Sequence, residues 1–326
     1  MDSSYKEILM MKGGAKLVNV LAGAKKGEHV LIVTDYGTVP SIARTLASAC
    51  IAAEAEPTIM IMPTREAHGL EPPDMVASAM TKADVVFQPV AKSIAHTTAT
   101  KKAREAGARV LVLPEYTEEM LISGGLEADF EAVKPLCEKM RDLLTNARTA
   151  RLTTPLGTQI TMSLEGRSGR ALVGLTRERG GYSSPPNIEA SIAPVEGTAE
   201  GTIVVDASIS SIGLLSSPVT VLVKGGLAKE IKGAGEAEKL RGILESAKDP
   251  KVYNIGELGI GLNPKAKLCG LMLEDEGSLG SVHIALGSNA DFGGNTKASR
   301  HIDLIISKST LVLDDKTVLK DGQVVA

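Results

Sequence analysis

Four short apolar runs in the first half of the chain are separated by stretches of helical texture. They are H29-V-L-I-V-T-D, P57-T-I-M-I-M-P, A83-D-V-V-F-Q-P and R109-V-L-V-L-P. Apolar side chains at nearly every position mark strands buried on both faces. Alternation of such strands with helices implies a parallel sheet covered on both sides. Helices are predicted over residues 15–25, 41–55, 74–82 and 99–107, the last ending at Gly107, a residue suited to a left-handed C-cap. A longer amphipathic helix, F130-E-A-V-K-P-L-C-E-K-M-R-D-L-L-T-N-A, is expected to close this domain.

After about residue 147 the texture changes. A150-R-L-T-T-P-L-G-T-Q-I-T-M-S-L-E-G-R reads as a hairpin about a P-L-G turn. Strand patterns with Gly turns follow at G201-T-I-V-V-D-A, V219-T-V-L-V-K-G-G and T310-L-V-L-D-D-K-T-V-L-K-D-G-Q-V-V, with one helix from Ala234 to Ser246. A length of 326 residues suits two domains. The expected fold class is α/β. Residues 1–147 form a doubly wound, Rossmann-like parallel-sheet domain, and residues 148–326 form a strand-rich α+β metal-binding domain.

Composition excludes several functions. There is no Trp, with three Phe and five Tyr, so stacking platforms for single strands are lacking. A net charge of -3 provides no basic footprint for nucleic acid. Cys50, Cys137 and Cys269 make no C-x-x-C pair, which rules out a thiolate zinc site. An odd cysteine count, no apolar leader in M-D-S-S-Y-K-E and no apolar stretch near 18 residues predict a reduced, cytoplasmic protein without a membrane partner. The turn after the first strand, T34-D-Y-G-T-V-P-S, is not a dinucleotide fingerprint, and the chain has no P-loop and no nucleophile elbow.

Metal-capable side chains gather in the second half. H301-I-D303 places an imidazole and a carboxylate two residues apart, hence on one face of a strand. His-x-Asp alone is ordinary at a strand end. His283 in S-V-H-I-A-L-G, Glu257 in N-I-G-E-L-G-I-G, Glu276 in L-E-D-E-G-S-L-G and Glu189 in P-P-N-I-E-A-S-I-A-P add to it. Mixed imidazole and carboxylate donors suit Zn, Mn, Co or Fe(II). The set is large enough for two metals sharing an activated water. Three of its members would equally suit a single Fe(II) with open positions. In the first half, K92-S-I-A-H96-T97 follows a predicted strand C-terminus, the edge where doubly wound sheets take ligands. His96 there reads as a substrate-facing residue or as a surface residue before a helix. Lys297 and Arg300, in the glycine-rich segment between His283 and His301, read as solvated loop charges or as partners for a substrate carboxylate.

Over roughly residues 180–315 these motifs resemble the aminopeptidase T/aminopeptidase S family of metallopeptidases. The matches in order are N187-I-E189-A-S-I-A-P, G256-E257, Glu276, H283-I-A-L-G and H301-x-D303. In the first domain the best local match is K92-S-I-A-H-T. The resemblance implies a metal-dependent hydrolase acting on a peptide or small amide. It implies Glu189, Glu257, Glu276, His283, His301 and Asp303 as ligands of two divalent ions (Zn, Co or Mn), with Glu257 as the alternative general base. It implies His96 facing the cluster across a cleft, a peptide or small-molecule substrate, and a homo-oligomer. The same superfamily includes proteins similar to 2,5-dihydroxypyridine 5,6-dioxygenase, a mononuclear Fe(II) ring-cleaving enzyme, which the compact length resembles. In that pattern a His stands at Glu257, H-x-D supplies the other ligands, and a His like His96 is the base. Glu257 and His283 favour the two-metal set, while S288-N-A-D-F lacks the aromatic hydroxyl expected of the peptidases. A third reading is a small-molecule binding protein on the same fold.

Overall fold

A computed structural model of the protein describes residues 3–326. Met1 and Asp2, the start of the stretch read for a leader, lie outside the described residues. The chain divides into two compact units. One runs to Phe130 and adds Gly174–Pro186; the other comprises Glu131–Val173 and Asn187–Ala326.

The first unit carries a five-stranded parallel sheet. The strand His29–Asp35 lies between Glu56–Met62 on one side and Val85–Gln88 on the other. Arg109–Val112 follows Val85–Gln88, and the pair Tyr182–Ser183 closes the sheet. Strand order thus reverses at His29–Asp35, the topological switch of a doubly wound sheet. The core is aliphatic, including Leu31, Val33, Met80, Val86, Ile94 and Val110. Each such side chain contributes about 1.5–3 kcal/mol on burial. Gly107 caps the helix Thr98–Ala106 at φ 108°, as expected. The helix expected over 15–25 is a longer element: an α-helix Ser3–Ala15 that widens into a π-turn, Lys16–Leu21.

The expected boundary near residue 147 differs from the observed division. The helix Phe130–Asn146 belongs mostly to the second unit, where the Cys137 thiol donates to the Glu189 carbonyl oxygen at 3.0 Å. The chain then returns to the first unit to supply Tyr182–Ser183. That return is a two-residue strand among glycines, too short for any periodicity to reveal.

The second unit holds two antiparallel sheets, of eight and seven strands. The eight-stranded sheet contains the predicted hairpin, Thr149–Thr153 with Gln159–Ser163. The seven-stranded sheet has at its middle the strands Glu189–Ile192, Ile255–Gly261, Val282–Gly287 and His301–Ile306. All are buried throughout except at His301. Among the described residues no helix is long and apolar enough to cross a membrane.

One buried ion pair anchors the parallel sheet. Arg109, at the head of its strand, donates to the Ala22 and Gly23 carbonyl oxygens, both at 2.9 Å, and pairs with Glu28. Arg109→Met leaves two carbonyls without their donor and the Glu28 carboxylate without its ion-pair partner. It should lower stability by about 3 kcal/mol, read as a shift in the urea midpoint; an unchanged midpoint would discount the pair.

Candidate metal centre

Pairing register decides which side chains meet. Residues directly opposite in neighbouring strands point to the same face, and so do residues two apart along a strand. Glu189 lies opposite Gly261, which shares a face with Gly259 and Glu257. Glu257 lies opposite Ala285, and Ala285 lies opposite Asp303. His283 and His301 sit two residues before Ala285 and Asp303. All five metal-capable residues therefore project from one face. The other face is aliphatic, with Ile192, Leu258, Ile284 and Leu304 in one row across four strands.

The small residues between the ligands make the hollow they occupy. A Cβ at Gly259 would stand 2.0 Å from His283 Nε2, so the imidazole lies over that glycine. A Cβ at Gly261 would stand 2.6 Å from the Glu276 carbonyl oxygen, so the segment that carries Glu276 crosses directly above it.

Two triads form within this face. Glu257, His301 and Asp303 are one; Glu189, Glu257 and His283 are the other, with Glu257 common to both. His301 Nε2 lies 3.1 Å from Glu257 Oε2 and 3.1 Å from Asp303 Oδ1. His301 Nδ1 is 2.8 Å from the Ser288 carbonyl oxygen. Only a protonated Nδ1 can donate to that oxygen, which leaves Nε2 facing the carboxylates. A metal-binding imidazole is normally oriented in this way. His283 Nε2 is 3.5 Å from Glu189 Oε2.

Glu276 is brought near but joins neither triad. Asn187 Nδ2 donates to Glu189 at 2.9 Å and to Glu276 at 3.2 Å, linking the two carboxyls. Burial and then the nearby Asp303 and Glu189 push the Glu276 carboxyl well above its ordinary range. Burial also raises Glu189, opposed by His283 and reinforced by Glu257. Burial works against charge on His301 and Asp303 as well, but their mutual attraction prevails. His301 is held well above its ordinary value, and Asp303 well below the usual carboxylate range.

These residues fit a cation. Four buried carboxyls share one site, and three buried polar atoms in it have no hydrogen-bond partner: Glu257 Oε1, His283 Nδ1 and Asn187 Oδ1. Buried polar atoms are ordinarily satisfied, and a divalent ion would use a lone pair of this kind on Glu257.

His96, in the first unit, is exposed in the turn before the helix Thr98–Ala106. The helix cap is Thr97, whose side chain accepts from the Thr100 amide. Lys297 is exposed and Arg300 half-buried. Sequence reasoning missed Asn187, Ser288 and Phe292. Phe292 stacks on the His301 ring with centroids 4.9 Å apart and planes 11° apart. Of these only Asn187 left a signal, two residues before a predicted ligand.

With this geometry in hand, comparison with known proteins corrects one expectation. A family model described as NicX, 2,5-dihydroxypyridine 5,6-dioxygenase, matches residues 16–326. A 2,5-dihydroxypyridine 5,6-dioxygenase of Pseudomonas putida KT2440 is 26% identical over 260 residues, covering 76% of this chain and 73% of the relative. The solved structure of 2,5-dihydroxypyridine dioxygenase from P. putida KT2440 superposes with a TM-score of 0.83 at 22% identity, covering 97% of each chain. AmpT from Thermus thermophilus superposes with a TM-score of 0.73 at 17% identity, covering 98% of this chain and 99% of its own. Both structural likenesses establish the shared α/β fold. The hydrolase reading, with its aminopeptidase and metalloprotease labels, is overturned, because the family model and the relative in sequence both name a dioxygenase.

The charge pattern predicts how the metal-free protein responds to pH. His301 is raised above 6.5, so the stability from its charged form is complete below 6.5 and lost as pH rises through the raised value. Glu276 is raised above 4.5, so the fold holds a proton there that it must surrender at a cost as pH climbs. Both make the metal-free protein less stable towards alkaline pH. Asp303 acts only in acid, below 3.8. Glu276→Gln should flatten the decline in melting temperature above pH 4.5 while keeping bound metal. A metal-free melting temperature independent of pH from 4.5 upwards would contradict this.

Proposed function

Because the chain belongs to the 2,5-dihydroxypyridine 5,6-dioxygenase family, we propose that it is an Fe(II)-dependent enzyme that opens the ring of a hydroxylated pyridine. The observation that carries the reading is the triad Glu257, His301 and Asp303, whose ligand atoms converge and whose imidazole is oriented by Ser288. These three residues would hold the ion. The usual facial triad has two imidazoles and one carboxylate. This one has two carboxylates, and the second imidazole, His283, shares Glu257 in the adjoining triad.

When bound, Fe(II) supplies the electron exchange through which O2 reacts with an electron-rich ring, both oxygen atoms entering the product. The protein's own residues set the conditions. Ser288 keeps the His301 proton on Nδ1 and so leaves Nε2 free to ligate. Glu257 offers Oε1, buried and without a partner. Asn187 steadies Glu189 and holds Glu276 beside it. Gly259 leaves the room that the His283 imidazole occupies. His96, on the strength of the K92-S-I-A-H-T match, takes the proton of the ring hydroxyl. The substrate is a small molecule; a homo-oligomer working in the cytoplasm, without nucleic-acid or membrane partners, completes the proposal.

The test is anaerobic loading of metal-free protein with Fe(II), followed by O2 uptake with 2,5-dihydroxypyridine. One iron per chain and one O2 per ring opened are expected. His301→Ala and Asp303→Ala should each lose the iron and about 100-fold or more of the rate, with an unchanged circular dichroism spectrum. His96→Ala should keep the iron and lose about 100-fold in rate. Iron retained in both ligand variants, or no O2 uptake by the iron-loaded protein, would overturn the reading.

A further inference from the structure

The segment between His283 and His301 is glycine-rich, a composition that by itself leaves a chain mobile. Here it is tied down at many points. Asn289, fully buried, accepts from the Thr296 amide at 2.7 Å and donates to Glu196 at 2.8 Å. Glu196 also accepts from the Asn295 amide at 2.6 Å. Arg167 donates to the Gly293 carbonyl oxygen at 2.7 Å, and Asp249 accepts from the Ser299 amide at 2.8 Å.

What this anchoring fixes is Phe292. The ring is half-buried, so its own burial does not hold it. One face lies against His301, the two ring planes nearly parallel. The Arg170 guanidinium lies over the same ring, its carbon 4.9 Å from the centroid. Arg170 in turn donates to the Asp291 carbonyl oxygen at 2.8 Å, next to the phenylalanine. The phenyl ring is thus held by both a guanidinium and an imidazole.

We propose that Phe292, clamped by Arg170, is a positioning residue for His301: the stack fixes the plane of the imidazole and so directs Nε2 at the metal. The physical reason is that the hydrogen bond from Nδ1 to Ser288 fixes one direction of the ring but allows it to tilt about that bond. A flat contact on one face removes the tilt. Aromatic faces 4.9 Å apart by centroid attract, and a cation over the phenyl ring adds to the hold. Preorganised ligands bind metal more tightly because less freedom is lost on binding. The inference rests on His301 being a ligand, as proposed above.

The test is titration of the metal-free protein with Co(II), followed through the visible absorption of the bound ion. Phe292→Leu should weaken Co(II) binding about tenfold and shift the absorption bands, with the melting temperature of the metal-free protein unchanged. Phe292→Tyr, which keeps the flat ring, should restore both affinity and spectrum. Arg170→Gln should weaken binding about two- to threefold. Wild-type affinity and spectrum in Phe292→Leu, or no rescue by Phe292→Tyr, overturns the positioning role while His301→Ala still abolishes binding. If His301→Ala binds Co(II) normally, the ligand assignment itself fails and the inference with it. Should Phe292→Leu not fold, Arg170→Gln decides: undiminished affinity there overturns the proposal.

Discussion

The site depends on one constraint, the register of four antiparallel strands. Glu257, Ala285 and Asp303 stand in a single row across three of them. A slip of one residue in any strand would turn its polar side chains to the opposite face. That face is a continuous aliphatic layer, where an unpaired carboxylate is strongly disfavoured. The same hydrophobic row that stabilises the sheet therefore holds the ligands in alignment. Catalytic geometry and fold stability rest here on the same hydrogen-bond ladder.

Register also concentrates charge of one sign. Glu189, Glu257, Glu276 and Asp303 share a buried space with two imidazoles. Protons and a metal ion are alternative ways of balancing that charge. In the absence of metal, Glu189 and Glu276 are pushed towards their neutral forms and His301 towards its cation. A divalent ion would replace those protons, so metal binding and proton release are coupled. Glu276 is linked to Glu189 through Asn187, which donates to both carboxyls.

The same donors also account for the resemblance to aminopeptidases. A ligand set says which ions it can hold. It does not say which reaction follows, since one fold hosts different chemistries. Five of the six ligands inferred from the motifs fall into the two triads, whereas the activity inferred from the same motifs was corrected by matches over most of the chain. Glu257, where the dioxygenase pattern noted above has a histidine, is the residue at which this chain joins the two triads.

Much of this was legible in the residues themselves. The parallel sheet showed as apolar runs, the Gly107 cap as a glycine after a helix, and the pairing of His301 with Asp303 as a two-residue spacing. These are local signals, set by backbone periodicity within a few residues. The remainder comes from contacts between distant segments. Tyr182–Ser183 is a strand because the Arg109–Val112 edge was open to it. Glu276 is set apart because Gly261 lets its segment cross above the sheet. Phe292 meets His301 because Glu196, Arg167 and Asp249, each far from it in sequence, hold its loop in place. Sequence alone determined which side chains share a face of each strand, because that follows from the pleat. Only the tertiary structure decided which faces meet, because register and loop anchoring are set by partners that no local pattern records.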